Sequence, residues 1–237
     1  MTLFPWGLIP RPSGAVATGG AEDCSPAYTK LSKMNLQYPA ALRRGVLLKA
    51  EKAVDKSKLA WKEEGKKKVF DSPIFSIRES YSRSPENELR TCFVIDAADW
   101  VIVVPVLETP KGKKFVMVRQ WRHGSQSLSL EFPGGVSEPG ENPENAAARE
   151  MLEETGYRPG TLRKIGEFNP NPAIMSNRTH FFLAENLVNT GSKSLDPDEY
   201  VETELVEIKE VMRGMGGPPF IHALMGSAMS LYLKIEG

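Results

Sequence analysis

Residues 131–157 of the sequence read EFPGGVSEPGENPENAAAREMLEETGY. This stretch contains seven acidic residues, and three of them, Glu150, Glu153 and Glu154, fall within five consecutive positions. Crowded carboxylates repel one another and retain protons unless a positive charge lies among them. The stretch therefore indicates a site for a cation, and two glycines, Gly134 and Gly135, precede it.

The residues after Gly140 are typical of a helix. Asn142 is a good N-cap, Pro143 suits the first helical position, and Gly156 can adopt the left-handed conformation that ends a helix. Three consecutive alanines from Ala146 favour the helix between these ends. At about 100° per residue the three glutamates share one face of this helix. Ala146 on the same face is expected to leave room for a ligand.

A helix face with three carboxylates offers the hard oxygen ligands that Mg²⁺ prefers, with Mn²⁺ as a substitute. The glycine pair lets the backbone approach closely, so that the Gly134 carbonyl is a candidate for a further oxygen ligand. Arg149 lies one turn from Glu153 and can pair with that carboxylate and orient it. Taken alone, the same helix also fits a solvent-facing surface with scattered glutamates.

The spacing of the fixed residues resembles the Nudix box, GX5EX7REUXEEXGU, in which U is an aliphatic residue. Gly135 is followed after five residues by Glu141, and after a further seven by REMLEETGY, residues 149–157. Every fixed position matches. Met151 occupies the first U position, whereas Tyr157 places an aromatic residue in the last one. The chain is therefore similar to the Nudix hydrolases.

The resemblance implies an α/β fold, a Nudix α/β/α sandwich with a mixed sheet, plus a small amino-terminal β layer. It also implies an enzyme that hydrolyses a nucleoside diphosphate linked to another group. By the same resemblance, Glu150 and Glu154 bind the metal directly, together with the Gly134 carbonyl. Glu153 is then a metal ligand or supports one, and Arg149 orients it.

Three further features resemble the ADP-ribose pyrophosphatase branch of that family. Pro172 lies fifteen residues beyond the box, VMVRQWRHG resembles a strand whose arginine contacts the diphosphate, and LEFPGG resembles the entry to the box. The resemblance implies Arg122 and Glu131 as substrate-binding residues, with Glu131 near the metals. It implies a nucleoside diphosphate-linked substrate, ADP-ribose or a related ADP-sugar, which is cleaved to AMP and a sugar phosphate.

The branch also implies a general base on a loop after the box, and aromatic residues that contact the nucleobase. LDPDEYVETE, residues 195–204, resembles that loop; Glu199 is its best match, with Glu202 as the alternative. Trp100 is the expected aromatic contact, and Trp61 and Phe75 are further candidates. In related enzymes such aromatics come partly from the other subunit, so we expect a homodimer.

The composition of the chain limits other functions. The 237 residues contain 30 Lys+Arg and 30 Asp+Glu, so neither a nucleic-acid binder nor a decapping-type RNA enzyme is expected. No apolar run approaches the ~20 residues that span a bilayer, and no membrane partner is expected. Two cysteines without a CxxC pair fit a reducing compartment. We expect a cytoplasmic protein, with organelle targeting left open by the amino-terminal residues.

The chain divides into three predicted regions. Residues 1–40 are an extension of unknown role. Residues 41–95, which mix helix formers with a lysine-rich surface segment, form an amino-terminal helix/strand layer that is expected to make the dimer. Residues 96–237 form the Nudix hydrolase domain.

Short runs rich in Val, Ile and aromatic residues predict strands on both sides of the box. These runs are residues 69–82, 89–97, 99–108, 113–122, 162–168, 178–187 and 200–208. The buried run 101–104 is predicted to end at Pro105. Apolar residues at helical spacing from Ile221 to Leu231, behind Pro218-Pro219, predict a closing helix.

Two other readings of the box stay open. The chain also fits a hydrolase of another nucleoside diphosphate derivative, such as an NDP-sugar, NADH or a dinucleotide polyphosphate. A catalytically silent module that senses a nucleotide is disfavoured, because silent members usually lose box carboxylates and this chain retains Glu150, Glu153 and Glu154.

Overall fold

The computed structural model of the chain describes residues 55–195 and 199–237. The predicted extension, residues 1–40, and the first part of the predicted helix/strand layer, residues 41–54, lie outside this range. Residues 196–198 of the predicted general-base loop also lie outside it. The described residues belong to one compact unit, Asp55–Gly237.

Twelve strands and three helices follow a single 3₁₀ turn at Lys56–Lys58 in the described part of the chain. In chain order they are β1 (Lys62–Asp71), β2 (Phe75–Arg83), β3 (Leu89–Ala97), β4 (Trp100–Thr109), β5 (Gly112–Arg122), β6 (Ser127–Glu131), β7 (Gly134–Val136), α1 (Pro143–Thr155), β8 (Tyr157–Arg158), β9 (Thr161–Phe168), β10 (Thr179–Glu185), β11 (Val188–Asn189), β12 (Glu202–Glu207), α2 (Ile208–Gly214) and α3 (Ala223–Glu236).

The strands form three sheets. Strands β1, β2 and β3 make an antiparallel three-stranded sheet, which is the predicted amino-terminal β layer. The central sheet has the order β12-β5-β4-β10-β9, with β6 paired to β5 and β7 paired to β4. Its β4–β10 pair is parallel and its other pairs are antiparallel, so the sheet is mixed as predicted. Strands β8 and β11 form a small third pair.

Helices cover both faces of the central sheet because side chains of β4 and β10 alternate between them. On one face, Val101 and Val103 pack with Ala147 and Met151 of α1. On the other face, the neighbouring residues of β4 pack with α3, in one cluster that includes Met225. The predicted α/β/α sandwich is confirmed. None of the helices in the described part has the length and apolar content that a bilayer crossing needs.

Helix α1 begins and ends where its local signals predict. The Asn142 side chain accepts a hydrogen bond from the Glu144 N–H, and Pro143 is the first helical residue. Gly156 ends the helix with φ 72°, in the left-handed region. The prediction for Ala146 is wrong, because this residue is fully buried with Val101 in the core beneath the helix and leaves no open space.

The prediction that the strand ends at Pro105 is also wrong, since β4 continues to Thr109. Val103 donates its N–H to the Pro133 carbonyl, on the side of β4 that pairs with β7. Because N–H groups two residues apart in a strand point to the same side, an N–H at position 105 would also point there. On that side, Pro105 lies between the last pair with β7, at Ile102, and the first pair with β5, at Val106. Its missing N–H therefore interrupts neither ladder.

Other predicted boundaries shift by a few residues. The part of the lysine-rich segment that the structure describes is exposed as expected, but from Lys62 onward it is strand β1. By contrast, strand β3, Leu89–Ala97, coincides with the predicted run 89–97. The closing helix begins at Ala223, not directly behind Pro218-Pro219, so that Ile221 precedes it.

Candidate active site

A cavity of about 800 Å³ lies where the three-stranded sheet meets the central sheet and the start of α3. Phe75 and Ile95 line it from the three-stranded sheet, and Trp100 from the first residue of β4. Arg122 and His222 contribute polar groups. Its volume is in the range of small-molecule sites.

Gly134 and Gly135 separate this cavity from the carboxylates of α1. The Gly134 N–H donates to Oε2 of Glu154 at 2.9 Å. A Cβ on Gly135 would lie 2.5 Å from Cδ of Glu150, and one on Gly134 would lie 2.1 Å from the Val101 carbonyl oxygen. The missing side chains therefore let the backbone lie against both carboxylates. The Gly134 N–H faces Glu154, and its carbonyl as a metal ligand stays a prediction.

Glu154 and Glu150 are the most buried members of the acidic cluster. Burial raises the pKa of the Glu154 carboxyl to about 8, with the charges of Glu150 and Glu199 adding to the effect. Burial also raises the pKa of Glu150, against the favourable charge of Arg149. The carboxylates of Glu150 and Glu154 are thus close together and shielded from water, and a bound cation would stabilise the ionised form of both.

Arg149 contacts three carboxylates at once. Its Nη1 lies 3.0 Å from Oε1 of Glu150 and 3.1 Å from Oε2 of Glu153. The contact with Glu153 is the pairing that the sequence predicts. Arg149 also binds both oxygens of Glu141, at 3.2 and 3.0 Å, and donates to the Val136 carbonyl. Its hydrogen bond with Glu141 is the main reason why the pKa of the guanidinium is raised. Arg149 therefore links the glutamates of α1 to the loop that precedes this helix.

The donor chemistry of this face fits a divalent cation. Glu150 and Glu154 offer oxygen ligands beside the glycine pair, and Glu153, which pairs with Arg149, offers a third. Within residues 55–195 and 199–237, no three His, Cys, Asp or Glu side chains are arranged as a ready cage. Glu150 and Glu154, which contact the glycine pair, are the residues that would hold the ion, with Glu153 beside them.

Arg122 and Glu131 form a two-pronged ion pair inside the cavity. Arg122 Nε lies 2.9 Å from Oε1 of Glu131, and Nη2 lies 2.6 Å from Oε2. His222 Nδ1 lies 2.8 Å from the same Oε2. Burial alone would raise the pKa of Glu131, but hydrogen bonds from Arg122 and His222 hold it at about 2. The predicted substrate-binding arginine is therefore positioned by the predicted substrate-binding glutamate.

Glu199 lies close enough to the box carboxylates for its charge to raise the pKa of both Glu150 and Glu154. It is the first described residue after the gap at 196–198, and it is exposed. The alternative base Glu202 lies opposite Arg119 in the β12–β5 pair. Of the two candidates, Glu199 is the one whose charge acts on both Glu150 and Glu154.

The aromatic candidates divide between the cavity and the surface. Trp100 and Phe75 line the cavity. Trp61 is 52% exposed and is not among the residues that line it. Pro172 is in an exposed turn, whereas Met175 from the same loop reaches the cavity. That loop is joined to β3, because Ile95 donates its N–H to the Ile174 carbonyl at 2.7 Å.

The model of the NUDIX domain matches residues 99–224, more than half of the chain. The chain belongs to the Nudix family. Its Nudix domain thus begins one residue before β4 and ends in the first turn of α3.

Among known Nudix proteins, the chain is 39% identical over 111 residues to an ADP-ribose pyrophosphatase of Bacillus subtilis, which is 46% of this chain and 60% of that protein. It is 35% identical over 122 residues to an ADP-sugar pyrophosphatase of Mus musculus, 49% of this chain and 54% of that one. The chain thus spans little more than half the length of these relatives. A crystal structure of an ADP compounds hydrolase has a TM-score of 0.63 at 23% identity, covers 76% of this chain and 97% of that one, and shows the shared fold.

Sequence reasoning did not assign His222 and Met175 to the cavity of this Nudix protein. Diphosphate hydrolysis does not require imidazole, so nothing in the sequence points to His222. Met175 follows Pro172 by three residues, so the proline marked the correct loop but not the side chain that reaches the cavity. Neither residue belongs to a motif, and only the folded chain brings them to the cavity that Arg122 also lines.

Proposed function

We propose that this chain is a Mg²⁺-dependent hydrolase that cleaves the diphosphate of ADP-ribose or a related ADP-sugar to AMP and a sugar phosphate. Mn²⁺ would substitute for Mg²⁺, because both favour carboxylate oxygens. The proposal takes its substrate class from the relatives, which are named for ADP-ribose and ADP-sugars.

One observation carries the proposal: the glycine pair lies against the cavity on one side and the buried carboxylates on the other. Gly134 and Gly135 line the cavity, while Glu154 and Glu150 contact them from α1. A diphosphate bound to Arg122 in the cavity would thus lie beside carboxylates that need a cation. This arrangement supports hydrolysis of a diphosphate more than simple nucleotide binding.

Each residue has a defined part in this proposal. Glu150 and Glu154 hold the cation, and Arg149 orients Glu153 beside it. A bound divalent cation supplies charge neutralisation on the phosphates and lowers the pKa of the attacking water. Glu199 accepts a proton from that water.

Arg122 binds the phosphate with the part of its guanidinium that Glu131 leaves available. Its Nε and Nη2 bond Glu131, so Nη1 is the group that can donate to a phosphate oxygen. The Glu131 pair fixes the plane of the guanidinium, and a fixed plane loses less entropy when substrate binds.

A substrate panel tests the proposed function. Purified protein is incubated with ADP-ribose, ADP-glucose, NADH and diadenosine polyphosphates, with Mg²⁺ or with excess chelator, and the products are separated. We expect AMP and ribose 5-phosphate from ADP-ribose with Mg²⁺ and no products with chelator. Faster cleavage of NADH or a dinucleotide than of any ADP-sugar would overturn the substrate assignment.

A second candidate is hydrolysis of another nucleoside diphosphate derivative by the same residues. The cavity lining includes the apolar side chains of Phe75, Ile95 and Met175. Apolar contacts accept any base, because they supply no hydrogen bonds that distinguish adenine from guanine or cytosine. The same panel, extended with GDP- and CDP-sugars, separates this candidate from the first.

We also propose a homodimer that forms through the three-stranded sheet. Phe70, Leu89 and Phe93 of this sheet are each about half exposed, and exposed apolar clusters are typical of interaction surfaces. The role of residues 41–95 in dimer formation, like the three-region organisation and the cytoplasmic location, stays a prediction from the sequence.

A further inference from the structure

His222 is a polar residue of the cavity that the proposed reaction does not use. It immediately precedes α3 as its N-cap residue, yet its side chain makes no capping hydrogen bond. Its Nδ1 instead lies 2.8 Å from Oε2 of Glu131, a carboxylate that is only 1% exposed. The imidazole is therefore held against the floor of the cavity, not against its own helix.

The contact with Glu131 decides which ring nitrogen carries the proton. Glu131 remains ionised because Arg122 and His222 hold its pKa at about 2, and an ionised carboxylate can only accept hydrogen bonds. Nδ1 of His222 must therefore be the donor. In the neutral imidazole the proton is then absent from Nε2, which becomes an acceptor.

The geometry of the ring directs Nε2 away from Glu131. The two ring nitrogens point in nearly opposite directions, so Nε2 points away from the buried carboxylate. The His222 side chain is 33% exposed and lines the cavity. Among residues 55–195 and 199–237, the structure gives Nε2 no hydrogen-bond partner.

His222 and Arg122 are neighbours with complementary properties. Both bond Oε2 of Glu131, Arg122 at 2.6 Å and His222 at 2.8 Å. Arg122 offers a donor, which suits a phosphate oxygen, and His222 offers an acceptor, which suits a hydroxyl group. A phosphate and a hydroxyl a few bonds apart are the two groups that a phosphorylated sugar presents.

We propose that His222 is a substrate-binding residue whose Nε2 accepts a hydrogen bond from a hydroxyl of the sugar attached to the diphosphate. This proposal rests on the proposed function. Glu131 is the positioning residue that fixes both partners, the guanidinium for the phosphate and the imidazole tautomer for the sugar. The unit Arg122–Glu131–His222 would then favour a sugar next to the phosphate over a group without hydroxyls. This role helps determine specificity and does not take part in proton transfer.

Two isosteric variants separate substrate binding from structural support. In His222→Asn the amide N–H can replace Nδ1 and retain the contact with Glu131, but nothing replaces Nε2. His222→Gln can place an amide oxygen near the Nε2 position. We expect His222→Asn to raise KM for ADP-ribose about tenfold, the factor that one hydrogen bond contributes. Because the contact is a binding contact, kcat should change by less than about twofold.

We expect His222→Gln to recover part of the lost affinity. A wild-type KM in His222→Asn would overturn the proposal, since that variant retains the support of Glu131. A thermal unfolding curve of each variant identifies any that fails to fold, and the wild-type measurement below then decides.

The decisive measurement uses wild-type protein labelled with ¹⁵N-histidine, titrated with ADP-ribose in excess chelator to prevent turnover. The chain has three histidines, so each signal is assignable by substitution. His180 is the internal reference, because protein groups already contact both of its ring nitrogens. We expect free His222 to be protonated at Nδ1 and its Nε2 signal to shift on titration, while His180 stays unchanged.

An Nε2 signal of His222 that stays unchanged at saturating ADP-ribose, in protein that hydrolyses ADP-ribose with Mg²⁺, would overturn this proposal alone. If no resonance shifts and ADP-ribose is not hydrolysed with Mg²⁺, the proposed function fails and this proposal fails with it.

Discussion

At the scale of single residues, Glu154 has the largest electrostatic penalty in the site. Its side chain is 4% exposed, and the charges of Glu150 and Glu199 add to the cost of burying it. The single hydrogen bond that favours its ionised form comes from the Gly134 N–H. A buried carboxylate with this surrounding is expected where a cation binds, because no nearby lysine or arginine neutralises it fully.

Replacing Glu154 with glutamine tests this role. Glu154→Gln retains the size of the side chain and removes the charge, so we expect kcat for ADP-ribose to fall by about 10²- to 10³-fold, as when a key electrostatic group is lost. The unfolding temperature should stay close to that of the wild type. Steady-state kinetics and thermal unfolding measure the two effects.

Glu144→Gln is the matched control, because Glu144 is an exposed glutamate in the first turn of the same helix. It should retain wild-type kinetics. Near-normal turnover in Glu154→Gln would contradict the assignment of Glu154 as a metal ligand.

Glu131 makes stability depend on pH in the acidic range. Its folded-state pKa of about 2 lies below its ordinary value of 4.5, so its stabilisation is present above about pH 5 and is lost as the pH falls towards 2. The difference corresponds to roughly 3 kcal/mol in the free energy of unfolding. Urea unfolding of the wild type and of Glu131→Gln across this range measures it. We expect a shallower pH dependence in the variant, and equal slopes would contradict the ion pair with Arg122.

At the scale of elements, α1 positions the acidic cluster through its two ends. Asn142 accepts a hydrogen bond from the Glu144 N–H at 2.9 Å, and Gly156 donates its N–H to the Leu152 carbonyl at 2.8 Å. These ends set where the helix starts and stops, and thus which residues face the glycine pair.

Removing the cap should weaken the domain without changing the chemistry of the site. We expect Asn142→Ala to lower the free energy of unfolding by about 1 kcal/mol, measured by urea denaturation. Asn145→Ala is the control, since Asn145 is exposed on the same helix and alanine favours helix there. A variant as stable as the control would show that the cap contributes nothing.

Elements with local signals were predictable from the sequence, and those that depend on pairing partners were less so. The cap at Asn142, the stop at Gly156 and the alternating apolar runs of β4 and β10 each carry their signal within a few residues. Whether β4 ends at Pro105 depends on where β7 and β5 pair with β4, and the sequence near Pro105 does not contain that information. Ala146 was misread because the face of a helix that meets the core cannot be fixed from glutamate positions alone.

The candidate site divides in the same way. The Nudix box gave Arg149 and the three glutamates by their spacing, and the structure brings Arg149 into contact with Glu150 and Glu153. The pairing of Arg122 with Glu131 was not foreseen, although each residue was predicted separately. His222 lies 91 positions from Glu131 and reaches it only because α3 packs over the sheet.

At the scale of the whole molecule, the three-stranded sheet has two roles. It lines the cavity with Phe75 and Ile95, and it exposes Phe70, Leu89 and Phe93. Cross-strand partners lie on the same face of a sheet, and Phe70 shares a row with Ile77 and Ile95. The cavity wall is thus continuous with the apolar surface that is proposed to meet a second chain.

A single charge on this surface should separate the subunits. We expect the wild-type chain to have the mass of a dimer in light scattering coupled to gel filtration, and Phe93→Lys to have the mass of a monomer. Lysine is chosen because Glu79 lies opposite Phe93 in the β2–β3 pair and would accept its charge. Val188→Lys, at an equally exposed apolar residue in β11, should remain dimeric. A wild-type monomer would contradict the proposed dimer.

Anomalous diffraction from crystals grown with Mn²⁺ and a non-hydrolysable methylene analogue of ADP-ribose tests whether the helix carboxylates hold the cation at the diphosphate. We expect manganese peaks bound to the carboxylates of Glu150 and Glu154, with the diphosphate of the analogue between these ions and Arg122. A well-ordered analogue in the cavity, with no manganese peak at either glutamate, would contradict it.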